Sequence, residues 1–231
     1  MLMNCEFAFQ TERFLRFGGI ILLSEDMESE RMNKKPYSSS IKKTPYKYPI
    51  AKKMARLLLK DMDRTEIYSK CFDENYIEID SVDRRREVTN VIYNRLSILD
   101  KFLLNQFVDG DITTSKFILV YAIAKTDSLF FDFMFEVYRE ALLGEKKYLS
   151  IDDFDLFFES KKQSDLIVSK WGEATLKCLT KGYRNILTES GLGIRERKNI
   201  VCNKLMVHPA VLDHLKLIGD EEYIKAILGG D

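Results

Sequence analysis

The chain has 231 residues, of which 45% are hydrophobic and 31% are charged, a composition that suits a globular protein with one good core or two modest ones. Lysine plus arginine equals aspartate plus glutamate at 36 each, so the net charge alone does not indicate a polyanionic partner. The four cysteines lie far apart and lack C-x-x-C spacing, which indicates neither a zinc site nor a disulfide framework and fits a reducing cytoplasm.

The sequence contains no candidate membrane-spanning segment. The longest apolar runs are GGIILL at 18–23 and FILVYAIA at 117–124. Both are far shorter than the ~20 residues that a spanning helix needs. We therefore expect a cytoplasmic protein without a membrane partner.

The charges are unevenly distributed along the chain. Residues 31–60 include ten basic residues and no acidic one, and residues 170–204 include eight basic residues against three acidic. Residues 99–165 include thirteen acidic residues against eight basic. Two basic regions around an acidic middle can create a local field that attracts anions.

The first 49 residues show no clear packed element. Residues 1–31 lack a signal-peptide cleavage site, and we interpret them as an N-terminal extension that is either a misassigned start or a variable appendage. Residues 32–49 contain three of the four prolines, a serine triplet and five lysines. This composition is typical of an extended basic arm.

A helix-turn-helix is predicted between residues 50 and 107. Apolar residues recur at helical spacing over 50–62, and Asp63 is a suitable cap for a short helix over 64–72. Ser81 then caps a longer helix, whose apolar stripe keeps its 3.6-residue spacing to about residue 107. Two helices, a turn and a longer third helix are the order of a helix-turn-helix.

The next two helices are predicted to form the centre of a bundle. DGD at 109–111 is a turn, and Thr113 or Thr114 is expected to cap a helix over 112–125. That helix and the one over 127–143 are the most apolar in the chain and carry aromatic residues almost all round. Such helices lie inside a protein, so we interpret these aromatic residues as core rather than as a ligand pocket.

The C-terminal segment has the element order of a winged helix. Ser150 caps a helix over 151–160, a second helix runs from Glu173 to Ser190, and glycines at 191 and 193 end it. Ile200, Val201 and Cys202 are expected to form one strand of a hairpin, and short helices over 209–217 and 220–228 follow. We therefore predict a mainly all-α fold with two helical lobes. The first is a helix-turn-helix domain over 50–148, and the second is a winged-helix-like domain over 149–231 with at most a short β-hairpin.

The helix from Glu173 to Ser190 has one apolar and one basic face. On a helical wheel, Lys177, Lys181 and Arg184 lie within about 60° of one another and opposite the apolar side. Like charges at these spacings repel one another unless an anion meets them, and nucleic-acid phosphates would do so. The alternative is a lysine-rich face that is only solvated.

Three consecutive arginines, Arg84, Arg85 and Arg86, begin the helix that Ser81 caps. Cations are unfavourable at a helix N-terminus, at a cost of roughly 0.3–1 kcal/mol each. One interpretation is ordinary ion pairing with carboxylates nearby in the sequence. The other is nucleic-acid contact, because the N-terminal end of the third helix approaches base edges in helix-turn-helix proteins.

The predicted nucleic-acid interface combines these two helices with the basic hairpin. Its residues are Arg84, Arg85, Arg86, Arg95, Lys177, Lys181, Arg184, Arg195, Arg197 and Lys198.

No catalytic, cofactor or metal site is predicted. His208 and His214 are the only histidines, they are six residues apart, and neither has a cysteine at metal-ligand spacing. The sequence has no P-loop and no G-x-G-x-x-G motif, and the S-x-x-K match at 39–42 lacks its companion motifs. We expect a protein that is not an enzyme, binds no cofactor and has no small-molecule substrate.

Three segments carry a family resemblance: AKTDSLFFDFMFEVYREALL at 124–143, SKWGEATLKCLTKGYRNILTESGLG at 169–193 and HPAVLDHLKLIGDEEYIKAILGG at 208–230. These segments, with their KTD-LFF and W-x-x-x-T motifs, resemble the BrxA family of the BREX bacteriophage-exclusion systems. The similarity extends from about Tyr37 to the C-terminus. Trp171 and Thr175 match the family's positions, whereas Gly172 stands where a serine-like cap is expected.

The resemblance implies an all-helical, two-lobed protein with helix-turn-helix and winged-helix character. It implies DNA binding without a catalytic activity of its own, beside the methyltransferase and ATPase components of the system. The family's helical fold has also been likened to RNA-binding antitermination factors. No catalytic residue is carried over.

We therefore predict a non-enzymatic protein that binds double-stranded DNA in a phage-defence system. Two alternatives remain open. One is a scaffold that binds other BREX components through its charged surfaces, and the other is an RNA-binding factor that uses the same basic surface.

Overall fold

The computed structural model describes residues 36–230, so the extension predicted for residues 1–31 lies outside the described residues. The fold over this range is mainly helical with one small sheet, which confirms the predicted fold class. The helices are α1 (Tyr48–Leu58), α2 (Arg64–Tyr68), α3 (Val82–Leu96), α4 (Lys101–Asp109), α5 (Ile112–Thr126), α6 (Ser128–Phe133), α7 (Arg139–Leu143), α8 (Ile151–Ser164), α9 (Glu173–Ser190), α10 (Pro209–Leu217) and α11 (Glu221–Leu228). The strands are β1 (Tyr148–Leu149), β2 (Gly193–Glu196) and β3 (Asn199–Cys202).

The single helix predicted over 82–107 is observed as two helices. α3 ends at Leu96, and α4 begins where the Asp100 carboxylate accepts a hydrogen bond from the backbone N–H of Leu103 at 2.8 Å. Leu96, Leu99 and Leu103 are all buried. The apolar stripe therefore continues through the break, and its periodicity does not reveal where the backbone turns.

α5 and α6 lie at the centre of the core, as their aromatic content predicts. Phe117 and Tyr121 of α5 and Phe130 and Phe133 of α6 are fully buried. α6 continues through a π-helical turn, Met134–Tyr138, into α7.

The cap of α5 differs from the prediction. The Asp111 carboxylate accepts hydrogen bonds from the backbone N–H groups of Thr113 and Thr114, both at 2.9 Å, and neither threonine is the cap. A carboxylate is favoured at this position because its charge also interacts with the positive end of the helix dipole.

Residues 36–49 pack against the helices, which corrects the prediction of an extended arm over this part of the chain. Ile41 and Tyr46 are fully buried. The Tyr46 hydroxyl donates to the carbonyl oxygen of Lys116 at 2.9 Å, and a Cβ placed on Gly182 of α9 would lie 2.9 Å from Ile41 Cγ2. Burying each such side chain contributes about 1.5–3 kcal/mol, which outweighs the extended tendency of a proline- and lysine-rich segment.

The sheet joins β1, β3 and β2 in that order, and both strand pairs are antiparallel. The β2–β3 hairpin is the one expected from the sequence, whereas β1 is not predicted. Leu149 of β1 lies opposite Ile200 of β3, and both side chains are buried on the inner face of the sheet. Gly193 must lack a side chain here, because a Cβ at this position would come within 2.2 Å of Ile200 Cγ2.

A continuous hydrophobic cluster includes buried residues from both predicted lobes. Phe133 of α6 stacks on Phe154 of α8 at 4.9 Å between ring centroids, and Phe130 packs edge-on against Tyr183 of α9 at 5.0 Å. These contacts join the two predicted lobes, and the boundary between them at residues 148 and 149 stays a prediction. Within residues 36–230, no helix has the length and apolar character needed to cross a membrane.

Candidate nucleic-acid interface

α9 directs apolar residues to the core and lysines to the surface. Tyr183, Ile186 and Leu187 are fully buried, whereas Lys177 and Lys181 are exposed. The bounds of α9 are those that the sequence predicts. The helix ends at Gly191, whose φ of 89° at the C-cap is a conformation that glycine accepts without strain. The two lysines are accessible to a partner.

Lys177 has a nearby carboxylate that does not cancel its charge. Its Nζ lies 3.3 Å from Glu173 Oε2, one helical turn away. The two side chains are 79% and 84% exposed, and pairs of this kind contribute only about 0–1 kcal/mol. An incoming phosphate can therefore displace Glu173 at little cost.

The N-terminal end of α9 has no side-chain cap. Gly172 occupies the N-cap position, and its carbonyl oxygen accepts from the N–H of Thr175 at 2.9 Å. Trp171 is partly buried against the core. The start of α9 is therefore held by a backbone hydrogen bond, and the serine-like cap expected at Gly172 is absent.

The β2–β3 hairpin places three further basic side chains at the surface. Arg195, Arg197 and Lys198 are all exposed. Arg197 has a φ of 55°, which puts it in the tight turn between β2 and β3. The hairpin follows α9 directly, and a Cβ at Gly193 would lie 3.7 Å from Leu187 Cβ, so the base of the hairpin packs against the C-terminal part of α9.

Arg184 is not on the exposed face that the helical wheel predicts. Its side chain is only 7% exposed, and its guanidinium lies over the ring of Phe154 at 5.8 Å from the centroid. Burial lowers the pKa of Arg184, and the positive charge of Arg195 lowers it further. A helical wheel cannot reveal this burial, because the Phe154 ring over which the guanidinium lies belongs to a different helix, α8.

The arginine triplet is held by the protein itself. Arg84 Nη1 lies 2.8 Å from the Glu87 carboxylate, and its Nη2 donates to the carbonyl oxygen of Lys43. The guanidinium of Arg86 lies over the ring of Phe72, 5.0 Å from the centroid. Ion pairing, one of the two interpretations left open by the sequence, therefore applies to Arg84.

Arg85 serves the segment that precedes α3. It donates to the carbonyl oxygens of Phe72 at 2.6 Å, Ile79 at 3.0 Å and Asp80 at 3.3 Å. These bonds tie residues 72–80 to the first turn of the helix. This contact explains why cations stand where the helix dipole disfavours them.

Arg95 is buried and cannot reach a nucleic acid, which corrects its place in the predicted interface. It is 3% exposed and donates to the carbonyl oxygens of Thr44 at 2.8 Å and Pro45 at 2.9 Å. Burial lowers the pKa of Arg95 to about 10, so the side chain remains charged at neutral pH. Its partners are some 50 residues away in the sequence, so spacing gives no signal of this role.

The histidines have structural contacts. His208 caps α10 by accepting the Ala210 N–H at Nδ1, 3.2 Å away, and His214 Nε2 lies 2.5 Å from Asp100 Oδ2. Among residues 36–230, no group of three His, Cys, Asp or Glu side chains is placed to hold a metal ion.

One surface feature is missed by the sequence reasoning. Tyr148, Val201 and Ile194 are cross-strand neighbours in one row on the outer face of the sheet. Tyr148 and Ile194 are 37% and 58% exposed, so the row is apolar and open to solvent. A two-residue strand such as β1 is too short for alternation to predict it.

Residues 36–230 therefore form a mainly helical protein in which the longest helix, α9, and the hairpin that follows it both carry exposed basic side chains. The BrxA family model matches residues 35–219. The chain belongs to the BrxA family, which confirms the resemblance seen in the sequence.

A known relative supports this assignment, and a solved structure supports the fold. The BREX protein BrxA of Bacillus cereus (strain H3081.97) is 34% identical over 193 residues, which cover 84% of this chain and 96% of that protein. A crystal structure of an uncharacterized protein from Magnetospirillum magneticum is similar with a TM-score of 0.74, and the match covers 84% of this chain and 99% of the other. At 21% sequence identity this second similarity supports the fold alone.

Proposed function

We propose that the chain is a DNA-binding accessory component of a BREX phage-defence system, that it acts in the cytoplasm and that it has no catalytic activity of its own. The observation that carries this proposal is the exposure of five basic side chains on two successive elements, Lys177 and Lys181 of α9 and Arg195, Arg197 and Lys198 of the hairpin, hereafter the basic surface. The name of the Bacillus cereus relative supports the link to BREX.

The element order supports duplex DNA as the ligand. A helix (α7), a strand (β1), two helices (α8 and α9) and a β2–β3 hairpin follow one another, with strand order β1-β3-β2. This is the arrangement that a winged helix requires. In that arrangement the last helix, here α9, enters the major groove and the hairpin turn reaches the adjacent backbone.

The chemistry of the basic surface favours contacts to phosphate. Lysines act as point charges, and arginine forks suit phosphate oxygens and the guanine edge. Each phosphate that such a residue neutralises releases condensed counterions, which is the main source of affinity for nucleic acids. Glu173 is the only carboxylate within ion-pair distance of these five residues in the described part of the chain, and that pair is weak.

A charge-reversal experiment tests the proposal. We expect Lys177→Glu with Lys181→Glu to weaken binding to a duplex of about 20 base pairs at least tenfold at low salt. Both residues are exposed, so the circular dichroism spectrum and the melting temperature should remain close to those of the unaltered chain. Equal affinity in the double variant would contradict the proposal.

A protein partner is the second candidate, and the exposed apolar row of Tyr148, Val201 and Ile194 favours it. Apolar side chains at the surface can bind a second protein, and other BREX components are the natural candidates. A complex that resists salt, together with no binding of a DNA duplex at low salt, would favour this function. Competition between duplex DNA and structured RNA distinguishes the third possibility, since A-form RNA hides its major groove from side chains.

A further inference from the structure

Within residues 36–230, Arg184 of α9 is a buried cation whose Nη1 group has no hydrogen-bond partner. The side chain is 7% exposed, and its Nη1 atom is buried with no acceptor among residues 36–230. The face of the Phe154 ring attracts the guanidinium weakly but does not satisfy that N–H group. Buried polar groups without partners are rare, and such a group requires an explanation.

A second arginine, Arg195, lies on the side of the hairpin that faces α9. Arg195 of β2 is opposite Ile200, and cross-strand partners project to the same face, so Arg195 projects to the inner face of the sheet. A Cβ at Gly193, two residues earlier on that face, would lie 3.7 Å from Leu187 Cβ of α9. Arg184 lies one helical turn before Leu187, and the positive charge of Arg195 lowers the pKa of Arg184. The two arginines are therefore neighbours across the junction of helix and hairpin.

Two neighbouring cations, one of them buried, are unfavourable unless an anion lies between them. Taking an ion out of water costs free energy that only a counter-charge or hydrogen bonds recover, and the like charge of Arg195 adds repulsion. Arg195 is exposed, so an anion can reach the pair from the solvent.

We propose that Arg184 and Arg195 form a binding site for one phosphate group at the junction of α9 and the hairpin. Phosphate suits the pair because its oxygens accept charge-assisted hydrogen bonds from two guanidinium forks at once. The group is a diester of a nucleic-acid backbone if the proposed DNA binding is correct, and a free phosphate or a phosphate monoester otherwise. Only the first source rests on the proposed function.

The first experiment measures the melting temperature of the full chain against the concentration of inorganic phosphate, with chloride adjusted to hold the ionic strength constant. A ligand that binds only the folded state raises the melting temperature in a concentration-dependent way. The variants are Arg184→Met, which keeps an apolar stem, and Arg195→Ala at an exposed position. Arg56→Ala, an exposed arginine of α1, is the matched control for the loss of one positive charge.

We expect phosphate to stabilise the unaltered chain and the Arg56→Ala variant equally. Arg195→Ala should raise the half-saturating phosphate concentration at least about tenfold, and Arg184→Met should remove the response. Without phosphate, Arg184→Met should melt at the same or a higher temperature than the unaltered chain, because it removes an uncompensated charge. An equal phosphate response in all four proteins, or none in the unaltered chain, would overturn the proposal.

A parallel titration with a DNA duplex separates the two sources of phosphate. Weaker DNA binding by both site variants, with Arg56→Ala unchanged, assigns the site to the nucleic-acid backbone. A phosphate response without any DNA binding supports the site and contradicts the proposed function. DNA binding that both variants leave unchanged, with the phosphate response lost, assigns the site to free phosphate or a monoester.

Discussion

The contact between Arg85 and the segment before α3 predicts a specific loss of stability in Arg85→Met. The variant keeps a long apolar stem but removes the donors to the carbonyl oxygens of Phe72, Ile79 and Asp80. A hydrogen bond from a charged group contributes about 1.5–3 kcal/mol when buried. Because Arg85 is only partly buried, we count half of that value for the two shorter bonds and nothing for the third, which gives a loss of about 2 kcal/mol.

Arg86→Met is the matched control for this prediction. Arg86 has the Phe72 ring as its contact, worth about 0.5–1 kcal/mol at an exposed site. Both substitutions remove one cation from the N-terminal end of α3, where the helix dipole disfavours it. The resulting gain in stability is the same in both variants and cancels in the comparison.

Urea unfolding followed by circular dichroism measures the difference between the two variants. We expect the free energy of unfolding to fall by about 2 kcal/mol in Arg85→Met and by clearly less in Arg86→Met, with an unchanged dependence of that free energy on urea concentration. In a thermal melt, the loss in Arg85→Met corresponds to a melting temperature lower by about 4–8 °C. Hydrogen exchange should increase mainly in residues 72–80. Equal losses in the two variants would refute the account of the triplet, and so would a large loss of DNA affinity in Arg85→Met without a loss of stability.

Three further substitutions test the packing and the charges. Arg95→Met leaves the buried carbonyl oxygen of Thr44 and the partly buried one of Pro45 without these donors. We expect a net loss of about 1–3 kcal/mol in denaturant unfolding, and an unchanged stability would contradict the role assigned to this buried cation. Gly182→Ala forces a Cβ against Ile41, and we expect a melting temperature lower by several degrees, whereas a stabilised variant would show that the contact can relax. Burial raises the pKa of Asp153, but hydrogen bonds, the largest of them from Lys146, bring it below its ordinary value. The stabilising contribution of Asp153 is therefore present above about pH 4 and is lost as the pH falls through the lowered pKa. The free energy of unfolding should depend less on pH in this range in Asp153→Asn. An equal slope of that free energy against pH in both proteins would contradict this role of Asp153.

Local patterns predicted the helices well where caps and periodicity agree. Asp63 and Ser150 stand in capping boxes, and α9 begins and ends where the sequence indicates. Predictions of helix ends and of packing failed where contacts with residues distant in the sequence determine the structure. The break before Asp100 is hidden by an uninterrupted apolar stripe, and the packing of Ile41 depends on Gly182, which is distant in the sequence.

The candidate site was predicted in part for the same reason. Periodicity places Lys177 and Lys181 on the outer face of α9, and the structure agrees. Arg184 shares their side of the helical wheel, but its side chain is buried, with the guanidinium over the ring of Phe154. In the sequence, Arg95 cannot be distinguished from other basic residues in helices. Only folding brings it to the carbonyl oxygen of Thr44. Charge alone therefore does not separate a binding arginine from a structural one.

The salt dependence of DNA binding tests the central claim most directly. The affinity of the unaltered chain for a duplex should fall steeply as salt increases, and Lys177→Glu with Lys181→Glu should reduce the slope of log K against log salt by about two. Arg56→Glu with Lys60→Glu, two exposed residues at the end of α1 and just after it, should leave the slope unchanged. A slope that is equal in all three proteins, or an absence of binding at low salt, would contradict the assignment of the basic surface to DNA.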